Sequence, residues 1–403
     1  MNEEDLLKKQ YTLYPYPPIP VGEMEDEVLY SSNYEFVNYI CTKKYKSPEN
    51  IKILDAGCGT GYSTMKLASQ NPSAEIIAVD ISQSSLDIAK ERLQKANLYS
   101  DRIKFYNADI ENLSSFLNQK FNYIVSSGVI HHLKNPERGL SNLKNLLADD
   151  GILHLMVYSE YGRYTLKLFR KLIDLVRKDK NDFEEGIKVG KELLNILPES
   201  HIIKYDYLKS YNSYLSKFGK NFADSDIQFV DAYLNARETS YDIDKLFEVL
   251  ERHELKLIRF LDEAVRSKEF IFLKSPFLTD YIKDLDKKEI YKISEILYPE
   301  RNFAFFCSHK SLEINNQSYD KLKKFKLPKF NKKSNNMVMS ATGKGIQLLG
   351  MYKYIYEEIE KENDFETTCQ NVSYKFYCDL NTSKKIITNF IKDMDDCDLI
   401  FIL

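Results

Sequence analysis

The chain is predicted to fold as a doubly wound α/β protein on a mostly parallel, seven-stranded sheet, with a helical insertion and a small C-terminal α+β module. Three observations predict it. Short β runs alternate with helical stretches between residues 51 and 159, a glycine-rich turn joins the first run to the first helix, and acids stand at the ends of the first three runs.

The elements follow in order. "IKILDA" (51–56) reads as a strand and 62–70 as a helix. "EIIAVD" (75–80) is a second strand, followed by an amphipathic helix over 82–97 that Ser82 can cap. "RIKFYNAD" (102–109) and "FNYIVSS" (121–127) are strands, 136–148 is a helix, and "GILHLMVYS" (151–159) is a fifth strand. The alternation then stops, and an aromatic-rich helical insertion is expected over about 160–225. Residues 241–262 read as helix then strand, 277–297 as helix, and 301–309 as a closing strand. Four regions result: an N-terminal arm and helix (1–50, the helix near Asp26–Lys43), an α/β domain (51–309), a Lys-rich linker (310–336) and a C-terminal module (337–403). The last region carries helices at 345–362 and 382–394 and a winged-helix-like character.

Composition narrows the function classes. An apolar content of 43% and a charged content of 29% suit a globular protein, and a net charge of −3 gives no field favouring nucleic acid or an anionic membrane. No apolar run is long enough for a membrane span, and the charged, Pro/Tyr-rich start lacks the pattern of a signal peptide. Six scattered cysteines without CxxC spacing read as reduced thiols, so a cytoplasmic location and no metal site are expected.

"ILDAGCGTG" sets Gly57, Cys58, Gly59 and Gly61 between a strand and a helix. Glycines there adopt unusual backbone angles and let a ligand approach the main chain, and the helix N-terminus adds N–H donors. Asp55, Asp80 and Asp109 close three strands whose ends share one crevice in a doubly wound sheet. Asp80 can accept from both ribose hydroxyls, Asp109 with the backbone of Ile110 can receive an adenine amino group, and Asp55 can meet an ammonium. The same acids can equally be strand-end caps. A dinucleotide site prefers GxGxxG with a cradle for pyrophosphate. Here the spacing is GxGxG beside an acid, which suits a cationic, phosphate-free nucleotide, S-adenosylmethionine.

With these motifs in order, the chain resembles the class I S-adenosylmethionine-dependent methyltransferases. "ILDAGCGTG", "AVDIS", "NADIENL" and "FNYIVSSGVIHHLKNP" match the family's successive motifs across residues 51–158. A bacterial subgroup of unassigned substrate is similar further out, at Gln10, Tyr11, Pro15, Tyr16 and Pro17 and at Tyr158, Ser159, Glu160 and Arg163. The resemblance implies that Gly57, Gly59 and Gly61 surround the methionine moiety, with Asp55 nearby. It further implies that Asp80 binds ribose, Ile81 packs on adenine, Asp109 binds its amino group, and Ser127 and Gly128 flank the methionine portion.

Methyl transfer from a sulfonium is an in-line displacement. Alignment and exclusion of water dominate, and a base is needed only for a protonated acceptor. The segment after the fourth strand reads "SSGVIHHL" rather than the Asp/Asn-Pro-Pro-aromatic tetrad that resembling nucleic-acid methyltransferases carry, so a small-molecule or carrier-bound acceptor is expected. His132 is the first candidate base and His131 the second; adjacent side chains are expected to point apart, which argues against a shared metal. A His that only holds its loop is an equal alternative. "YTLYPYPPIP" can fold over the donor pocket as a lid, with Tyr11, Tyr14 or Tyr16 facing the acceptor, or dock as a plain surface arm. Arg163 can anchor an acidic group or form a surface ion pair. The alternatives are a protein methyltransferase or donor-binding regulator that recognises a protein partner through the insertion or the C-terminal module, and an NAD(P)-dependent oxidoreductase, which the glycine spacing disfavours.

Overall fold

The computed structural model describes residues 3–22, 29–272, 275–334 and 336–403, in two units: 1–26 with 50–258 and 284–310, and 27–49 with 259–283 and 311–403. In the first unit, five strands run in parallel: β1 (Lys52–Ala56), β2 (Glu75–Asp80), β3 (Ile103–Asn107), β4 (Phe121–Ser127) and β5 (Leu147–Ser159). A two-residue strand β6 (Ser240–Tyr241) adds to the end of β5, and β7 (Leu255–Phe260) and β8 (Asn302–His309) complete the sheet. The order is β3-β2-β1-β4-β5-β8-β7, with β8 antiparallel to β5. The strands carry near-continuous apolar runs because helices cover both faces of such a sheet; Ile53, Leu54, Ile76, Ala78, Tyr123 and Ile124 are all buried.

This topology positions the crevice. With β1 through β4 parallel, Asp55, Asp80, Asp109 and Ser127 arrive at the same edge of the sheet. Ser82 caps the following Gln83–Lys95 helix by accepting from the Ser85 N–H. β5 starts earlier than its apolar run, at Leu147, because a register shift between Phe121 and Tyr123 lets Leu147 pair with Phe121.

Several boundaries differ from expectation. The insertion does not stop near 225: its helices Tyr164–Val176, Phe183–Ile196 and Ile202–Phe218 are followed by Asp226–Tyr233, whose Phe229, Val230 and Tyr233 share one core with Phe169, Ile173 and Phe183. The N-terminal segment begins with a helix, Glu3–Leu13, whose polar face masked its period. The helix expected near Asp26–Lys43 is Tyr34–Thr42, and its residues belong to the second unit; Asp26, Glu27 and Val28 lie outside the described residues.

In that second unit, residues 310–336 are not a solvated linker. Leu322 and Phe325 are buried with Ile355, Phe390 and Met394, and Phe325–Lys326 pairs antiparallel with Phe401–Ile402. Most lysines of this tract are exposed while Leu312, Leu322 and Phe325 between them are buried, so composition hid the packing. A three-stranded antiparallel sheet (Lys332–Ser334, Met337–Met339, Gly345–Gln347) precedes the helices Met351–Glu360, Phe365–Phe376 and Leu380–Asp396. The expected helix 345–362 thus starts later, after a strand, and the Phe365–Phe376 helix was not anticipated. Tyr39 and Lys43 bind Asp395 at 3.1 and 3.0 Å, and Lys326 pairs with Glu35 at 2.6 Å.

Candidate functional site

The glycine loop folds back over the end of β2: the N–H groups of Gly57 and Cys58 both donate to the Val79 carbonyl, at 2.8 and 2.9 Å. Gly57 has φ +84°, and a Cβ there would meet Val129 at 2.3 Å, so this loop and the exit of β4 are packed backbone to side chain. The Cys58 side chain turns into the core beside Ala78 and Leu86, where burial pushes its thiol pKa up. Gly61 opens the Tyr62–Gln70 helix in the left-handed region.

The three acids sit in different environments. Asp80 accepts the Gly59 N–H at 2.8 Å on one oxygen and the Ser82 N–H at 2.9 Å on the other. Both oxygens keep further lone pairs, and burial raises the carboxyl pKa. Asp55 is buried under the hydroxyls of Thr64 (2.7 Å) and Ser63 (3.3 Å), and burial drives its pKa to about 7. Asp109 is a cap: it accepts the Glu111 N–H at 2.9 Å, and it lines a surface cleft with Asn135 and Arg138. Ile81 is half-buried, Ile110 buried, Ser127 exposed, and Gly128 holds φ +80° with its N–H on the Met156 carbonyl.

The N-terminal segment lies on the same loop. The Thr60 N–H donates to the Tyr16 carbonyl at 3.1 Å and the Thr60 hydroxyl to the Pro17 carbonyl at 2.9 Å. A Cβ at Gly59 would come within 2.4 Å of the Tyr16 oxygen, so only glycine allows this approach. Arg92, which is 1% exposed, clamps the crossing by donating to the carbonyls of Ile19, Pro20 and Thr60 at 2.6, 3.2 and 2.9 Å. Further back, the Ser82 hydroxyl donates to the Tyr11 carbonyl at 3.2 Å, and the Tyr11 hydroxyl reaches Asp231 at 3.4 Å.

The two histidines lie in a short turn, Ile130–His132, and not on a strand. Their rings therefore do not point apart: the centroids are 4.2 Å from each other. His131 packs on the Tyr158 ring at 3.6 Å, and neither of its nitrogens has a hydrogen-bond partner among the described residues. His132 places Nδ1 2.6 Å from the Arg237 carbonyl. A carbonyl only accepts, so Nδ1 carries the proton and Nε2 keeps a lone pair; Nε2 is buried without a protein partner. Burial lowers the His132 pKa to about 4 and that of His131 well below its usual value.

Around them stands a buried charged cluster. Arg163 is 4% exposed and forms a double hydrogen bond with Glu238 at 2.9 and 2.8 Å, while its guanidinium lies 3.4 Å over the Tyr158 ring. It is neither an exposed pair nor a free anion anchor. Arg170 also binds Glu238, at 2.7 Å, and Glu238 is held at a pKa of about 2; its burial alone would raise that value, and the two arginines overcome it. Among the described residues, Asp231 has only the long Tyr11 hydrogen bond, and burial moves its pKa up to about 6. Burial raises the Tyr16 phenol pKa well above its usual value, and the Asp231 charge adds to the rise. Sequence reasoning missed Asp231 and Glu238. Nothing local in "FVDAYLNARET" marks either acid.

A family model described as a methyltransferase domain matches residues 47–200. An uncharacterized protein of Synechococcus sp. is 33% identical over 309 residues, which span 75% of this chain and 71% of that one. A malonyl-[acyl-carrier protein] O-methyltransferase of Bacillus cytotoxicus is 31% identical over 151 residues; the match spans 38% of this chain and only 49% of the relative. Among solved structures, PKMT2 from Rickettsia typhi superposes with a TM-score of 0.64 at 16% identity, covering 96% of this chain and 78% of that one, a likeness of fold.

Proposed function

Because the chain belongs to the class I S-adenosylmethionine-dependent methyltransferases, and so uses S-adenosylmethionine as its methyl donor, we propose that it methylates a small-molecule or carrier-bound acceptor beneath its N-terminal arm. One observation carries this reading: Asp80 and the Tyr16 carbonyl both close on the two residues Gly59 and Thr60, so the donor loop and the arm form one crevice wall. The donor fits the residues present. The glycines let the loop close on Val129, the Tyr16 carbonyl and Ala89, Asp80 has lone pairs for ribose hydroxyls, and Asp55 supplies a buried carboxyl for an ammonium. Ile81, Asp109 and Ile110 are assigned to adenine, and Ser127 and Gly128 to the methionine portion.

When bound, the donor supplies an electrophilic methyl group on a sulfonium. The protein's own residues align and dry the site: Tyr11 and Tyr16 cover it, and Tyr158 with Arg163 walls it. His132 Nε2 is the proton acceptor for an acceptor hydroxyl or amine, with its tautomer held by the Arg237 carbonyl. His131 and Tyr16 shape the chamber. The carrier-bound class draws support from the relative that methylates malonyl-acyl-carrier protein. Six free cysteines support a reducing, cytoplasmic location.

Calorimetric titration tests the donor site. The full chain should bind S-adenosylmethionine, and Asp80→Ala should weaken it by about 100-fold, the loss of two hydrogen bonds to a charged group. Equal binding by the variant, or tight NAD(H) binding by the wild type, would sink the assignment.

A further inference from the structure

The Ile202–Phe218 helix of the insertion has two unlike faces. On one, Ile203 is buried and Tyr207 packs against Tyr233, ring centroids 6.0 Å apart. On the other, Ile202, Tyr205, Lys209, Ser213 and Ser216 follow the spacing of a single helical stripe, and all five are exposed, Ile202 by 56% and Tyr205 by 64%. Lys217 at the edge of the stripe and Lys220 just past the helix end are exposed as well. We infer that this face docks an acidic carrier protein, the partner that delivers the acceptor; its role rests on the carrier-bound class proposed above.

The charge of the face is uncompensated. Among the described residues, Lys209, Lys217 and Lys220 have no acidic partner. Other lysines at the surface do: Lys95 pairs with Glu91, Lys191 with Asp226 and Lys384 with Glu366, at 2.9, 2.6 and 2.8 Å. The one acid of the helix, Asp206, is held by Arg301 at 2.5 Å, and Asp224 accepts the Tyr211 hydroxyl at 2.6 Å. A chain of net charge −3 therefore carries a local cationic stripe here, which steers and orients an acidic partner.

The rest of the stripe selects among anionic partners. A helix lying in a lipid interface needs a long apolar face, and here only the first turn is apolar, at Ile202 and Tyr205. A nucleic-acid backbone is met by a basic domain with clustered arginines and lysines, and this face has three lysines and no arginine. A small apolar knob beside a short row of lysines fits the acidic surface of a protein. Position agrees with delivery. Tyr233, which packs on the inner side of the same helix, belongs to the Asp226–Tyr233 helix that carries Asp231, and Asp231 meets Tyr11 in the chamber at 3.4 Å. A carrier docked on the outer face thus stands one helix away from the chamber wall.

Fluorescence anisotropy on the full chain, with labelled holo-acyl-carrier protein as the probe, tests this. The wild type should bind, and about tenfold more weakly as salt rises from about 0.05 M to about 0.5 M. Lys209→Glu with Lys217→Glu should weaken binding at low salt by about tenfold. The same two reversals at the exposed Lys353 and Lys385 should change it by less than about twofold, although net charge moves equally. Circular dichroism unchanged from wild type shows that both variants are folded. Failure of the wild type to bind the carrier protein, or an equal loss in both double variants, would overturn the inference. So would capture of phosphatidylglycerol vesicles or duplex DNA in place of the carrier. The two readings fail separately: a chain that binds the carrier but not S-adenosylmethionine overturns the donor crevice, and one that binds S-adenosylmethionine but not the carrier overturns the docking face.

Discussion

The proposed donor crevice and the chamber facing it are built from chain in opposite ways. The crevice draws Asp55 through Gly61, Asp80 and Asp109 from consecutive strand ends, in chain order. The chamber draws Tyr11 and Tyr16 from the arm, His131 and His132 from the exit of β4, Tyr158 and Arg163 from the end of β5, Asp231 from the insertion's last helix, and Glu238 from just after it. In the crevice, backbone amides meet side chains that the topology places there automatically: Gly59 N–H on Asp80 and two hydroxyls on Asp55. In the chamber, side chains far apart in sequence meet each other: Tyr11 reaches Asp231 across 220 positions, and Arg163 reaches Glu238 across 75.

The strongest way to break that contrast is to remove one partner from the chamber's charged core. Glu238→Ala leaves the buried Arg163 and the half-buried Arg170 without their carboxylate. The loss of stability should be about 3–5 kcal/mol, measured by urea denaturation. Donor affinity per folded molecule should stay within about twofold, because none of the crevice contacts involve Glu238. A comparable loss of donor affinity would mean that the two regions are one coupled site.

A smaller effect is expected at the seam. Arg92→Met removes three donations that hold Ile19, Pro20 and Thr60 together, with a cost of about 1.5–3 kcal/mol for hydrogen bonds to a charged group. The loss should appear as faster amide exchange at Thr60 and earlier proteolysis within residues 10–20. If Tyr16 covers the site, turnover should fall more than donor affinity does. An arm that stays protected in this variant is held by its other contacts, among them Thr60 on Tyr16 and Pro17 and Ser82 on Tyr11.

The same division explains what was legible in the sequence. The glycine loop, the acids at strand ends and the Ser82 cap are local patterns set by backbone geometry, so a single chain displays them. Asp55, Asp80 and Ser127 accordingly stand at the ends of parallel strands, as their local patterns imply. Asp231 and Glu238 carry no local signature; their significance comes from burial beside Arg163, which only tertiary packing reveals. The histidine pair misled for a related reason. Strand geometry was assumed, whereas the short turn at Ile130–His132 brings both rings to one side. In the second unit, a lysine-rich tract concealed Leu322 and Phe325, because charge density is a property of composition and burial a property of spacing.

The least of the expected effects separates the two regions by pH. Asp55 has a folded pKa of about 7 against an ordinary value of 3.8, so between these values the folded chain holds a proton that the unfolded chain has released. Its contribution to stability grows as pH falls from 7. His132, at about 4 against 6.5, does the reverse: the unfolded chain takes up a proton that the folded chain refuses, and stability is lost as pH falls below 6.5. At pH 5.5 the two contributions oppose each other, each with a slope of up to about 1.4 kcal/mol per pH unit. Relative to wild type, Asp55→Asn should therefore lose stability as pH is lowered from 7 to 5, and His132→Gln should gain it, with urea midpoints at each pH as the readout. If both variants shift in the same direction, the buried carboxyl and the buried imidazole do not hold the protonation states that the geometry gives them, and the neutral Nε2 of His132 loses its standing as a base.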